Sequence, residues 1–150
     1  MDMLEQGAKA PPVPSVDFSG GPTALFFYKV TCPVCQMAAP AARKFEHAYR
    51  GRIVGIGQDP EDKLVAFGRQ YGLGFRSIAD LPPYEVSDAY GIISVPTLFL
   101  VGSDGVVLEA VASWDRDGYN AVSEHLAKLV GADPVAISEP GDGLPSFRPG

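Results

Sequence analysis

The chain has 150 residues, 46% hydrophobic and 20% charged, which suits one globular domain with a single core. A formal charge of −6 argues against nucleic acid, whose partners carry basic patches. The longest interior apolar run, around Ile92 to Val101, is broken by Ser94 and Pro96 and is too short to span a bilayer, so no membrane partner is expected.

The opening Met1-Asp2-Met3-Leu4-Glu5-Gln6 is acidic with no apolar core behind it, unlike a signal peptide, and a cytoplasmic setting is the expectation. Residues 1–12 read as a loose lead-in, since Pro11, Pro12 and Pro14 favour extended backbone. Val13 to Phe18 predicts a short edge strand, and Gly20-Gly21-Pro22 a turn. Thr23 to Val30 is a continuous β-branched and aromatic run, the pattern of a strand covered on both faces.

From Pro33 to Tyr49 the apolar positions Val34, Met37, Ala38, Ala41, Phe45, Ala48 and Tyr49 recur at helical spacing, with Gln36, Arg43, Lys44 and His47 opposite. Pro33 suits a first turn, and Pro40 is expected to kink the helix. Ile53 to Gly57 predicts a second strand. Pro60-Glu61-Asp62 opens a helix carrying Leu64, Val65, Phe67 and Tyr71, its acidic residues placed for the helix dipole.

Phe75 to Ala79 predicts a third strand, and Tyr84 to Tyr90 a short helix ended by Gly91. Thr97 to Val101 and Val106 to Ala112 flank Gly102-Ser103-Asp104-Gly105, a hairpin signal. Asp115 to Val130 predicts a closing helix with Tyr119, Val122, Leu126 and Leu129 inward. Residues 132–150 are rich in proline and glycine and read as an irregular, solvated tail. Alternating elements followed by a hairpin predict an α/β domain over residues 13–131, a mixed sheet with helices on both faces.

The chemistry concentrates at Cys32-Pro33-Val34-Cys35, the only two cysteines in the chain. They sit where a strand runs into a helix, so the first sulfur meets unpaired N–H groups and the helix dipole, which favour a thiolate. The second lies one turn on, within reach of a mixed disulfide made by the first: the minimum for thiol–disulfide exchange. Two cysteines do not make a disulfide framework, and a chain this long builds a core without one. A zinc site needs about four ligands. His47 and His125, the only histidines, lack metal-type spacing and read as surface or packing residues. No metal is expected. Trp114 reads as packing, and Asp59 and Asp80 as caps of helices or turns.

Three segments resemble the thioredoxin superfamily: Phe27 to Pro40 with its Cys-x-x-Cys and following proline, Tyr90-Gly91-Ile92-Ile93-Ser94-Val95-Pro96-Thr97 as the cis-proline loop, and Ser103-Asp104-Gly105 with Val106-Val107 as the closing hairpin. The additional strand–helix unit between Cys35 and Pro96 is similar to the redoxin branch that contains cytochrome-maturation thiol reductases. The resemblance implies a thioredoxin-like fold and a disulfide reductase with Cys32 as nucleophile and Cys35 as resolving thiol. Thr31, Pro33, Val95 and Pro96 would line the substrate, Val95 offering backbone groups to an extended strand. It implies no bound cofactor, a disulfide-containing protein substrate, and an external thiol or reductase as electron donor.

Several family positions differ. Thr31 stands where many members carry Trp before the first cysteine; Phe26 replaces the buried Asp of thioredoxins; Ala38 replaces the Glu of some longer reductases. The usual proton acceptors for Cys35 are thus absent, leaving the charge of Lys29, or water, to assist. That loss motivates an alternative, a thioredoxin-like binding module without turnover. A peroxiredoxin-like thiol peroxidase is a further alternative, although the Pro-x-x-x-Thr-x-x-Cys signature is absent.

Overall fold

Strand β1 (Thr23–Tyr28) is buried along its whole length, and the rest of the chain is arranged to cover it. The computed structural model describes residues 2–150. β1 pairs in parallel with β2 (Ile53–Gly57), which pairs in parallel with β3 (Ser77–Ala79). On its other side β1 pairs antiparallel with β4 (Thr97–Val101), and β4 with β5 (Val107–Ala112), giving the order β3-β2-β1-β4-β5. This is a thioredoxin-like α/β sheet.

Side chains alternate across a strand, so a run that is apolar at every position feeds two cores. Ala24, Phe26 and Tyr28 join Leu98 and Leu100 in one; Leu25 and Phe27 join Phe99 and Val101 in the other. The first core is covered by α1 (Pro33–Ala48), α2 (Glu61–Tyr71) and α4 (Arg116–Val130). The second is covered by α3 (Glu85–Ala89) and by the N-terminal segment through Ala10 and Val13. Gly57 lets α2 approach, because any side chain there would run into Leu64.

Topology brings three loops to one end of the sheet. Thr97, which opens β4, pairs with Phe27 near the end of β1, and Ala112, which ends β5, pairs with Thr97. The segments after β1, before β4 and after β5 therefore meet, and α4 starts there with Asp115 capping Gly118 N–H at 3.2 Å.

Both flanking segments depart from expectation. Residues 1–12 are not loose among those described: Leu4 N–H donates to Tyr90 O at 3.1 Å, and Gly7 and Ala10 N–H donate to Val107 O and Gly105 O at 2.8 Å. Val13 to Phe18 is no strand. Pro14 has no N–H to donate, Ser15 turns the chain at φ 58°, and Asp17 accepts from Ser19 N–H and Oγ to cap a 3-10 turn over Phe18–Gly20.

Residues 132–150 are mostly exposed, as expected, but are pinned to the domain at several points. Ile137 and Ser138 are buried, and Asn120 Oδ1 accepts from both their N–H groups. Trp114 Nε1 donates to Pro145 O at 2.7 Å, and Arg116 donates to Leu144 O at 2.7 Å. β7 (Phe147–Arg148) then pairs antiparallel with β6 (Trp114–Asp115). Proline and glycine kept this stretch from forming long elements, but its apolar Ile137 and partnered carbonyls still repay ordering. A smaller departure is Leu129, read as inward and in fact 47% exposed. α1 runs unbroken through Pro40.

Candidate redox site

Cys32 is the N-cap of α1. Its sulfur accepts the Cys35 N–H at 3.3 Å and its carbonyl accepts Gln36 N–H at 3.0 Å, with Pro33 in the first turn where no donor is missed. Cys32 is partly exposed and Cys35 buried, both as free thiols. Thr31 and Pro33 are exposed on either side of Cys32. The approach to α1 is held by Asp59, which accepts Val30 N–H at 2.8 Å, and by Gln36, whose side chain donates to Val30 O at 2.9 Å.

Across from Cys32 lies the loop before β4. The Val95–Pro96 peptide bond is cis, and the Cys32 thiol donates to Val95 O at 3.5 Å. Pro96 is buried and Val95 only partly so, while Ile93 is 78% exposed beside them. The structure thus brings Thr31, Cys32, Pro33, Val95 and Pro96 to one rim, with Cys35 behind it.

Burial pushes the Cys35 thiol well above its ordinary range; the Lys29 backbone N–H opposes that shift, while Cys32 and Asp59 add to it. Tyr28 is also driven up, to about 12, chiefly by burial, with the Ser77 hydroxyl 2.6 Å from its own pulling the other way.

The placement of four residues escaped the sequence reading. Ser113 Oγ accepts Gly150 N–H at 3.1 Å, and Gly150 lies so close to Val95 O that a side chain there would collide with it. Asp59 sits beside the site rather than at a helix cap, and Tyr119, one apolar position in an amphipathic helix, reaches the Cys35 cluster. None carried a local signal, because each acts across the fold. Asp80 caps α3 as read, accepting Val86 and Ser87 N–H. Trp114 is fully buried, His47 is exposed, and His125 pairs with Glu109 at 3.1 Å. Among the described residues no three His, Cys, Asp or Glu side chains converge as a metal site, and no helix is long and apolar enough to cross a membrane.

Residues 3–110 match the AhpC/TSA family. Thiol-disulfide oxidoreductase ResA of Bacillus thuringiensis subsp. konkukian is 30% identical over 117 residues, covering 75% of this chain and 66% of its own length. Methylamine utilization protein MauD of Paracoccus versutus is 26% identical over 117 residues, covering 78% of this chain and 55% of its own. The chain thus spans just under two thirds, or little over half, of these relatives. The solved thioredoxin domain of a thiol-disulfide oxidoreductase from Bacteroides vulgatus has a TM-score of 0.69 at 21% identity, covering 82% of this chain and 99% of that one, a likeness of fold. The five-strand order, the dithiol at the first turn of α1 and the match over residues 3–110 together place this chain in the AhpC/TSA family, in the redoxin branch of the thioredoxin superfamily.

Proposed function

We propose that the chain is a thiol–disulfide oxidoreductase that reduces protein disulfides through Cys32 and Cys35. One observation carries this reading: a partly exposed sulfur at a helix N-terminus, 3.5 Å from the Val95 carbonyl, with a second, buried sulfur one turn behind it. Cys32, as a thiolate, attacks one sulfur of the substrate disulfide, and the other sulfur leaves as a thiolate. Cys35 then attacks Cys32, breaking the mixed disulfide. The substrate departs with two electrons, and Cys32–Cys35 is left oxidised.

Thr31, Pro33, Val95 and Pro96 form the rim on which an extended substrate segment would lie. Two concavities of about 440 and 580 Å³ lie elsewhere, around Glu46 and Arg52 and along α2. An external thiol or reductase must return the pair to the dithiol. The chemistry itself calls for no bound cofactor.

The test is capture with Cys35→Ser, which should hold a protein disulfide substrate as a stable adduct on Cys32. Absence of any adduct would overturn attack through Cys32. Redox-buffer equilibration of the wild-type pair sets direction and compartment together. A midpoint near or below about −220 mV fits a reductase and the cytoplasmic setting; one above about −180 mV argues against both. The family match also favours a second reading, peroxide reduction at Cys32. Peroxide consumption faster than protein-disulfide reduction would select it. Retained partner affinity in Cys32→Ser, with a wild-type pair that never cycles, would select the binding module.

A further inference from the structure

Two groups meet at the Val95 carbonyl. The Cys32 thiol donates to its oxygen at 3.5 Å, and Gly150 lies so close that a Cβ there would collide with that oxygen and crowd its carbon. Residues 146–150 reach this point as extended chain. Phe147 and Arg148 pair antiparallel with Asp115 and Trp114, Arg116 N–H donates to Ser146 O at 2.9 Å, and Gly150 N–H donates to Ser113 Oγ at 3.1 Å. An extended segment beside Val95 is the form in which the rim would take a substrate. The hold on this stretch changes at Pro145. Trp114 and Arg116 donate to Pro145 O and Leu144 O, both at 2.7 Å, whereas every residue from 145 to 150 is exposed. With no buried side chain to extract, residues 146–150 belong to the part of the fold that opens at least cost.

We propose that residues 146–150 form a self-bound strap against Val95, which competes with an extended substrate segment and swings out about Pro145 to admit it. The inference rests on the oxidoreductase reading. The strap lowers the apparent affinity for a peptide disulfide by the fraction of molecules in which it is open. A small disulfide needs only the Cys32 sulfur and no backbone partner, so the strap does not hinder it. The contact thus selects for substrates whose backbone can replace the strap along Val95, and it shields that edge when none is bound.

Gly150→Val tests this, because its side chain cannot share the space of Val95 O and must expel the strap. Two probes carry the same coloured leaving group, nitrobenzoate thiolate: one in mixed disulfide with a cysteine in a short extended peptide, the other with mercaptoethanol. Attack by Cys32 releases the colour from both. The variant should react with the peptide probe about 5-fold faster, the scale of one neutral hydrogen bond, and with the mercaptoethanol probe as the wild type does. Ser113→Ala, which removes the tether without adding bulk, should move the peptide rate in the same direction. Unchanged peptide rates in both variants would overturn the strap. So would equal quickening of both probes, which means an altered sulfur, or a slower peptide reaction, which makes residues 146–150 part of the substrate's seat. A wild-type protein that stays as the peptide adduct, never reaching the Cys32–Cys35 disulfide, would instead bring down the oxidoreductase reading.

Discussion

Cys32 and Cys35 are one helical turn apart and belong to two regions with different physics. The rim around Cys32 is open on one side, where Thr31, Pro33 and Ile93 are exposed; the Val95 carbonyl borders the sulfur, and Gly150 lies against that carbonyl. The floor around Cys35 is closed: Cys35 is buried in one core cluster with Tyr28, Trp114 and Tyr119, all fully or almost fully buried. At the rim, access and backbone donors govern the chemistry; at the floor, the cost of charge in a low-dielectric setting governs it. One dithiol thus divides exchange into a step limited by approach and a step limited by ionisation.

The largest effect expected is Cys32→Ser. It should abolish turnover of a protein disulfide, a loss of more than about 10³-fold, while leaving thermal unfolding nearly unchanged. Cys35→Ser should retain the first attack and lose release, so the two variants separate rim from floor in one assay. Residual turnover in Cys32→Ser would break the comparison.

Next comes the wall of the floor. Trp114→Ala should cost about 3–5 kcal/mol in urea unfolding, because it empties a fully buried site and removes the donor to Pro145 O. Phe147→Ala, on the exposed strand that pairs with it, should cost less than about 0.5 kcal/mol. Comparable costs would show that the C-terminal segment is not anchored through Trp114.

The floor should also be sensitive to alkali. Tyr28 is raised by burial from 10.0 to about 12, so its contribution is fully present below pH 10 and is lost as pH rises toward 12. Cys35, raised in the same direction, adds to the loss above its unfolded value. Denaturant titrations should show stability falling by on the order of 2–3 kcal/mol from Tyr28 alone across that window. A flat profile would mean that the floor is wetter than its geometry implies.

The smallest effect belongs to the rim. Ser113→Ala removes the acceptor for Gly150 N–H and should loosen the segment lying against Val95. Alkylation of Cys32 by a bulky maleimide should quicken a few-fold, within the scale of one neutral hydrogen bond, while a small iodoacetamide reacts as before. Equal acceleration of both reagents would point to a changed sulfur rather than a cleared approach.

The rim was largely legible before any coordinates. Ala24 to Tyr28 shows as a strand because the run is apolar and aromatic at every position, and the helix after Cys32 shows by spacing, so the dithiol falls at their junction. The loop at Pro96 was found by resemblance. The floor was not legible. Tyr119 is indistinguishable in sequence from Val122 or Leu126, its neighbours on the same buried face. The link from Trp114 to Pro145 joins residues 31 apart, and the one from Val30 to Asp59 residues 29 apart, without periodicity to announce either.

By itself the sequence determined the strand–helix order, the double-sided burial of β1 and the presence of one dithiol at a helix start, because each follows from local periodicity and backbone chemistry. Only the tertiary structure decided that the two ends of the chain are pinned to the domain by a few hydrogen bonds, that Gly150 borders Val95, and that an unpaired hydroxyl shares the Cys35 cluster. Those outcomes depend on single contacts between distant residues, each too weak and too specific to leave a pattern along the chain.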